Sequence, residues 1–254
     1  MTDLVREKRL RLGILFYFSP KWMGGIVYIN NLIKILDFLN DDDKPEIIVF
    51  YRAELRKYAE QVNYPYMNLV EWDFPSVYKG YIRSWILQMN VFVDDILKNY
   101  NLDGLYPLHD YPVRAITDTR IVSWYADLQH KYYPEFFTQR KIIERNFRIR
   151  FMLKNSQDLV VSSQSVANDF SKFFKLRDGL RIHVFHFASV IEDLDGLDIG
   201  EVRKKYNVPE DYYMISNQFH KHKNHRVLLR SLALLKKEGR EIHMAMTGRF
   251  PDAD

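Results

Sequence analysis

Continuous apolar stretches alternate with stretches of helical periodicity along nearly the whole chain, and this alternation constrains the fold more than any other feature. Leu12 to Phe18 holds no charged residue, as a strand buried on both faces of a parallel sheet requires. Ser19-Pro20 and Gly24-Gly25 break the run. From Ile26 to Leu39 the apolar residues Ile26, Ile29, Ile33 and Leu36 then recur at helical spacing. The same reading predicts strands at Glu46 to Tyr51, Met67 to Glu71, Gly104 to Leu108, Arg120 to Tyr125, Asp158 to Ser162 and Arg181 to His186. Helices are predicted at Ala53 to Val62, Tyr81 to Tyr100, Thr138 to Asn155 and Ser163 to Phe174. Strands separated by helices of this length need right-handed crossovers, so the expected fold is α/β with a doubly wound, Rossmann-like parallel sheet.

The pattern changes near residue 187. Phe187 to Glu201 carries Glu192, Asp193, Asp195, Asp198 and Glu201 with no Lys or Arg, which reads as an exposed connector. A fresh unit follows, with helices at Glu201 to Tyr206 and Asn224 to Glu238 and strands at Tyr212 to Ser216 and Glu241 to Thr247. The expected organisation is a first Rossmann-like domain over 1–186, an acidic linker over 187–200, and the start of a second Rossmann-like domain over 201–254. Two strands cannot close such a domain, because both faces of a parallel sheet need cover. The reading therefore expects that domain to be truncated at Asp254.

Composition removes several classes of function. Of 254 residues, 47% are hydrophobic and 28% charged, enough apolar material for a packed core. The longest stretch free of charged residues, Trp22 to Ile33, has 12 residues, too short to span a bilayer. The basic stretch before Leu12 imitates a secretion signal, but a buried first strand explains the apolar run better. Without cysteine there are no disulfides, thiolate nucleophiles or Cys-ligated zinc, and a cytoplasmic location is expected. A net charge of 37 − 33 = +4 does not argue for a nucleic-acid partner.

In open α/β sheets ligands bind beyond the carboxyl ends of the strands, and four segments there have suitable content. Gly24 and Gly25, between the first strand and helix, allow backbone amides to approach a phosphate or a sugar; a plain turn is the alternative. Asp127 and His130 lie in a loop rich in aromatic residues, suited to stacking on a sugar and bonding its hydroxyls. His109-Asp110 has the same placement in weaker company. Gln218, Lys221 and Lys223 lie between a strand ending at Ser216 and a helix starting at Asn224, a favoured N-cap. Lysines beside a helix N-terminus make an anion site suited to a diphosphate. His220, His222 and His225 offer loop spacing for zinc, but no Cys or carboxylate joins them; no metal is expected. Finally, Thr138 to Asn155 sets Arg140, Lys141, Arg145, Arg148, Arg150 and Lys154 against Glu144 alone. Such a basic amphipathic helix either meets an anionic membrane surface or acidic partner, or is a solvated face covering the sheet.

Ser216 to His225, with the helix after it, resembles the start of the donor domain in GT-B glycosyltransferases of family 4. Ser123 to Phe137 resembles an acceptor-side loop in a branch of that family. The resemblance implies two Rossmann-like domains across a cleft, and transfer of a sugar from a nucleotide-diphosphate sugar to a glycan or lipid-linked acceptor. It implies retention of anomeric configuration, no cofactor beyond the sugar nucleotide, and no essential metal. Lys223 falls on the motif lysine that neutralises the leaving diphosphate. Gln218 stands where the family has Arg, with Lys221 near enough in sequence to replace that charge, and Asn217 replaces a Gly. Gly24-Gly25 matches the glycine-rich loop after the first strand. Asp127 carries over as a catalytic position although Ala126 replaces the usual His, and His130 is a neighbour that compensates. The family's Glu-x7-Glu donor motif would lie past Asp254. The competing reading is a non-catalytic protein that keeps the acceptor-side domain and binds a glycan or a partner.

Overall fold

The computed structural model describes residues 9–191, 194–248 and 250 and divides the chain into two compact units, Met1–Val190 and Ile191–Asp254. The first unit contains β1 (Arg11–Phe16), α1 (Met23–Leu36), β2 (Glu46–Tyr51), α2 (Arg56–Ala59), β3 (Met67–Glu71), α3 (Val77–Leu87), α4 (Asp94–Asn99), β4 (Gly104–Leu108) and β5 (Arg120–Tyr125). It continues with α5 (Gln129–Tyr132), α6 (Gln139–Asn155), β6 (Asp158–Val161), α7 (Gln164–Phe173) and β7 (Arg181–Val184). All its strands pair in parallel in the order β3-β2-β1-β4-β5-β6-β7. The doubly wound sheet expected from the alternation is present.

Two hydrophobic cores sandwich this sheet, and the strands feed them by alternation. Along β1 and β2, Ile14, Phe16, Ile47, Val49 and Tyr51 join the core under α1 and α2. Leu15, Ile48 and Phe50 face the other way, into the core with Ile96 of α4, Ile149 of α6 and Phe170 of α7. Successive side chains of a strand point to opposite faces, so a strand serving two cores is apolar throughout.

Two helices differ from expectation. Tyr81 to Tyr100 is not one helix: α3 stops at Leu87 with Gln88 in the left-handed region (φ 52°) and α4 restarts at Asp94. Buried Asn90 imposes the break. Its Oδ1 accepts the N–H of Phe92 at 3.2 Å and its Nδ2 donates to the Asp110 carbonyl at 3.1 Å, bonds a helical residue could not make. In Ala53 to Val62 only the turn α2 is α-helical, after a 3₁₀ turn.

At the amino ends of three adjacent strands one carboxylate acts as a clamp. Asp158, which opens β6 and is buried, accepts bonds from Arg120 of β5 (3.2 Å), Arg181 of β7 (2.7 and 2.8 Å) and His183 Nε2 (2.7 Å). Burial alone would raise its pKa, but the bonds from Arg181, Arg120 and His183 outweigh burial and hold it well below the usual carboxylate range. A depressed folded-state pKa contributes stability above the unfolded value, and that stability is lost as pH falls. Denaturant unfolding of wild type and Asp158→Asn should therefore differ most above about pH 4 and converge below it.

The second unit contains α8 (Ile199–Tyr206), β8 (Tyr213–Ser216), α9 (His225–Lys237) and β9 (Met244–Thr247), with β8 and β9 in parallel register. Asp198 caps α8, its Oδ1 accepting the N–H of Gly200 and Glu201. Among the described residues of this unit none is buried.

Candidate functional site

The strand order reverses direction at β1, whose neighbours are β2 and β4. At such a switch point the loops leaving adjacent strands diverge and open a crevice at their carboxyl ends. Here the strand ends where that crevice is expected are filled by a ring cluster: Tyr17, Phe18 and Trp22 of the loop after β1, and His109 after β4, with Trp22 exposed at its edge. Trp124, near the end of β5, forms its buried floor. Tyr28 of α1 stacks on Trp124 at 4.4 Å and 9°, and Trp22 stacks on it at 5.8 Å and 26°. Phe18 meets Trp22 edge-on at 4.9 Å. The outer ring, Trp22, is exposed and the inner one is buried. An aromatic ladder that ends in an exposed indole is a stacking platform.

The Gly24-Gly25 pair serves this ladder. A Cβ on Gly25 would lie 2.7 Å from the Trp22 ring and 3.0 Å from Phe18, so the indole occupies the space that the missing side chain leaves. Gly24 is exposed beside Trp22, its Cβ position 3.2 Å from Nε1. The backbone approach expected at these glycines is thus made by a tryptophan at Gly25, while Gly24 remains open.

His109 stands at the centre of the cluster. Its ring lies 5.4 Å from Phe18 and 5.4 Å from Trp124. Its backbone N–H donates to Tyr17 Oη at 2.9 Å, and its Nε2 is shielded and without a partner. Burial, followed by repulsion from Arg148, pushes its pKa down to about 3, so the ring is neutral at physiological pH. A neutral imidazole can donate to or accept from a hydroxyl, but the unpartnered Nε2 lies beneath the surrounding rings and meets a ligand only if they move. Asp110, the next residue, turns inward: its Oδ1 receives Arg148 Nε at 2.9 Å and a second guanidinium nitrogen at 2.8 Å. Burial raises the Asp110 carboxyl and Arg148 opposes that rise. The pair anchors α6 to the end of β4.

Asp127 and His130 do not form a facing pair. Asp127 is exposed, and its Oδ1 accepts the Gln129 N–H at 3.0 Å, closing the turn into α5. His130 is 1% exposed, with Nε2 at 3.2 Å from Asn146 Oδ1 on α6. Nδ1 is buried without a partner, and burial lowers the ring's pKa. One turn of α5 swings its ring under the loop, against α6. As a whole residue His109 is less buried than His130, though its Nε2 is also shielded.

In the second unit, β8 ends at Ser216 and a 3₁₀ turn, Lys221–Lys223, leads into α9. Lys221 and Lys223 are exposed, and Gln218 Oε1 lies 2.7 Å from His220 Nε2. Asn224 occupies the N-cap position in the left-handed region (φ 55°) and its side chain makes no capping bond. Its N–H closes the preceding turn on the Lys221 carbonyl at 3.2 Å. No side chain therefore covers the first-turn amides of α9 at the cap. His220 stacks on His222 at 5.5 Å, while His225 packs on Phe219 at 4.7 Å. Among the described residues no group of His, Asp or Glu is arranged to hold a metal ion.

The fold has a counterpart of known structure. A glycosyltransferase from Rickettsia africae ESF-5 superposes with a TM-score of 0.52 over 95% of this chain, at 16% sequence identity. The likeness is one of fold. This chain spans 61% of the length of that protein. No protein-family model matches the sequence, and no curated protein matches it. No helix among the described residues is long and apolar enough to cross a membrane.

Proposed function

We propose that the protein takes part in glycosyl transfer, moving a sugar from a nucleotide-diphosphate donor to a glycan or lipid-linked acceptor with retention of configuration. The observation that carries this reading is the ring cluster at the switch point. It joins an exposed indole, Trp22, to a neutral imidazole, His109, at the place where α/β sheets bind ligands. Sugars present apolar ring faces and many hydroxyls; Trp22 is a counterpart to the first, and His109 to the second once the rings over it move. The fold shared with a glycosyltransferase supports the same reading.

In this reading Trp22, at the edge of the cluster, seats the acceptor, and exposed Asp127 accepts a bond from one of its hydroxyls. Lys223 and Lys221, beside the open N-terminus of α9, hold the donor diphosphate, with Gln218 as a neutral donor. Transfer breaks the bond from the anomeric carbon to the diphosphate and forms one to the acceptor oxygen. The acceptor proton leaves on the diphosphate. Positive charge placed ahead of time where the leaving group gains negative charge is the largest expected catalytic contribution. No step requires a metal.

The test is calorimetry of the full native chain with nucleoside diphosphates. Lys223→Ala is expected to weaken binding by about 1–3 kcal/mol, the worth of a charge-assisted phosphate bond. Absence of nucleotide binding would overturn the transferase reading. Glycan binding without turnover of a sugar nucleotide would assign the ring cluster to a non-catalytic binding protein.

A further inference from the structure

Helices α3 and α6 show solvent a surface that packing inside the unit does not explain. On α3, Tyr78, Ile82, Trp85 and Ile86 fall on one face at helical spacing, and all four are exposed, Ile86 by 75%. The buried residues of this helix, Gly80, Tyr81 and Ser84, occupy the opposite side. α6 behaves alike: Ile149, Met152 and Leu153 are buried, while Ile143 is 67% exposed and Phe147 is also exposed. The two outer faces are continuous, because Trp85 touches Phe147 at 5.9 Å and Phe151 at 5.7 Å.

Cations surround this apolar surface. Lys79 and Arg83 flank it on α3, and Arg140, Arg150 and Lys154 share the outer face of α6, all exposed. The one acid on that stretch of α6, Glu144, lies 3.6 Å from Arg148. Beyond Arg150 and Lys154 opens a cavity of about 400 Å³ between α6, the end of α7 and residues 174–177, lined also by Lys175 and Arg177 over Phe173 and Phe174. Other clustered cations of the unit have carboxylates: Arg148 on Asp110, Arg120 and Arg181 on Asp158, Arg11 on Glu46. Among the described residues Arg150, Lys154 and Lys175 form no ion pair. Lys131, over the Phe174 ring at 4.7 Å, adds a further cation, its pKa lowered by burial and by repulsion from Arg150. Arg177 donates to the Ser156 and Asp178 carbonyls, so the cations at this cavity without an ion pair or carbonyl partner among the described residues are Arg150, Lys154 and Lys175.

We propose that the joined faces of α3 and α6 seat the first unit on an anionic lipid bilayer, with lipid phosphates taken up by the cavity of Arg150, Lys154, Lys175 and Arg177. Exposed apolar side chains on two touching helices, flanked by Lys and Arg, match the headgroup boundary of such a bilayer. The apolar groups enter the acyl region, and the long cationic side chains reach the phosphates. An acidic protein would satisfy the cations, but it would need its own apolar surface shaped to two adjacent helices. This inference stands on surface chemistry and does not depend on the transferase reading.

Flotation of the full native chain with vesicles of phosphatidylcholine, with and without phosphatidylglycerol, tests it. Binding is expected only to the anionic vesicles and should fall as salt is raised. Trp85→Ser with Ile86→Ser, and separately Arg150→Glu with Lys154→Glu, should each lower partitioning by about tenfold or more, since each surface cation contributes about 1 kcal/mol. Ile86, Arg150 and Lys154 are exposed, and their replacement should keep the wild-type unfolding curve. Trp85 also packs on Tyr81, Phe147 and Phe151, so Ile86→Ser alone, expected to lower partitioning without loss of stability, is measured beside the double variant. Failure to bind anionic vesicles would overturn the proposal, as would equal binding to neutral ones. So would binding that neither double variant weakens. Inorganic phosphate binding without vesicle binding would reassign the cavity to a free anion. Loss of a dimer in Trp85→Ser with Ile86→Ser, without vesicle binding, would reassign the apolar face to a second copy of the chain.

Discussion

Replacing Trp124 by alanine should destabilise the first unit by about 3–5 kcal/mol, the usual cost of removing a fully buried large aromatic side chain. Trp124 is 1% exposed and is met by Tyr28 at 4.4 Å, His109 at 5.4 Å, Trp22 and Phe18 each at 5.8 Å, and Phe187, which follows β7, at 6.5 Å. Those rings come from α1 and from the segments after β1, β4 and β7, so no single backbone shift can close the cavity. The loss should also reach the edge of the cluster, because Trp22 would have no ring beneath it. Urea unfolding, followed by circular dichroism, reads the first effect directly. A loss below about 1.5 kcal/mol would mean that the loops collapse into the space, and that the ladder is not a rigid floor. Trp124→Phe should recover part of the stability.

The second large effect concerns the buried ion pair. Arg148→Met would leave the Asp110 carboxylate, 1% exposed, without its counter-charge. Breaking one side of a buried pair costs about 3–5 kcal/mol, because the remaining charge stays desolvated. The cost depends on pH with a definite sign. Without Arg148, burial raises the Asp110 pKa in the folded state only. Protonation then favours the folded state, and the variant regains stability as pH falls toward that raised value. Its deficit should be larger at pH 8 than at pH 5. Removing both charges, as Asp110→Leu with Arg148→Met, should cost much less than Arg148→Met alone. A double variant as unstable as the sum of the two single ones would show that the residues contribute separately, by packing.

Much of the sheet is legible in the amino-acid sequence. The bounds of β2, β3, β4 and β5 coincide with the predicted runs; in β2, covered on both faces, apolar residues mark nearly the whole length, while edge strand β3 has no buried residue and is marked by Met67, Leu69 and Val70. Helix continuity is less legible. The apolar spacing of Tyr81 to Tyr100 does not register one buried amide, and Asn90 splits the helix by bonding to Asp110, twenty residues further along the chain. The site is legible in part. The loops after β1 and β5 are expected to hold ligand-facing residues, and their content of Gly, aromatic residues and Asp127 is visible in the sequence. The choice between His109 and His130 is not, since each is a lone histidine in a loop after a strand. Their environments separate them: His130 turns under α5 onto Asn146, while His109 lies among rings from the loop after β1 and from β5.

Local chemistry therefore determined the class of fold. Alternation of apolar runs and helical periods requires parallel strands with crossover helices. Tertiary structure decided what depends on residues far apart in the chain. Arg148 neutralises Asp110 across 38 residues, Trp22 fills the space over Gly25, and α3 and α6 meet through Trp85 and Phe147 to form one surface. Burial sets the charge of His109 and the cost of breaking the Asp110 pair, and burial belongs to the packed assembly of strands rather than to any stretch of sequence.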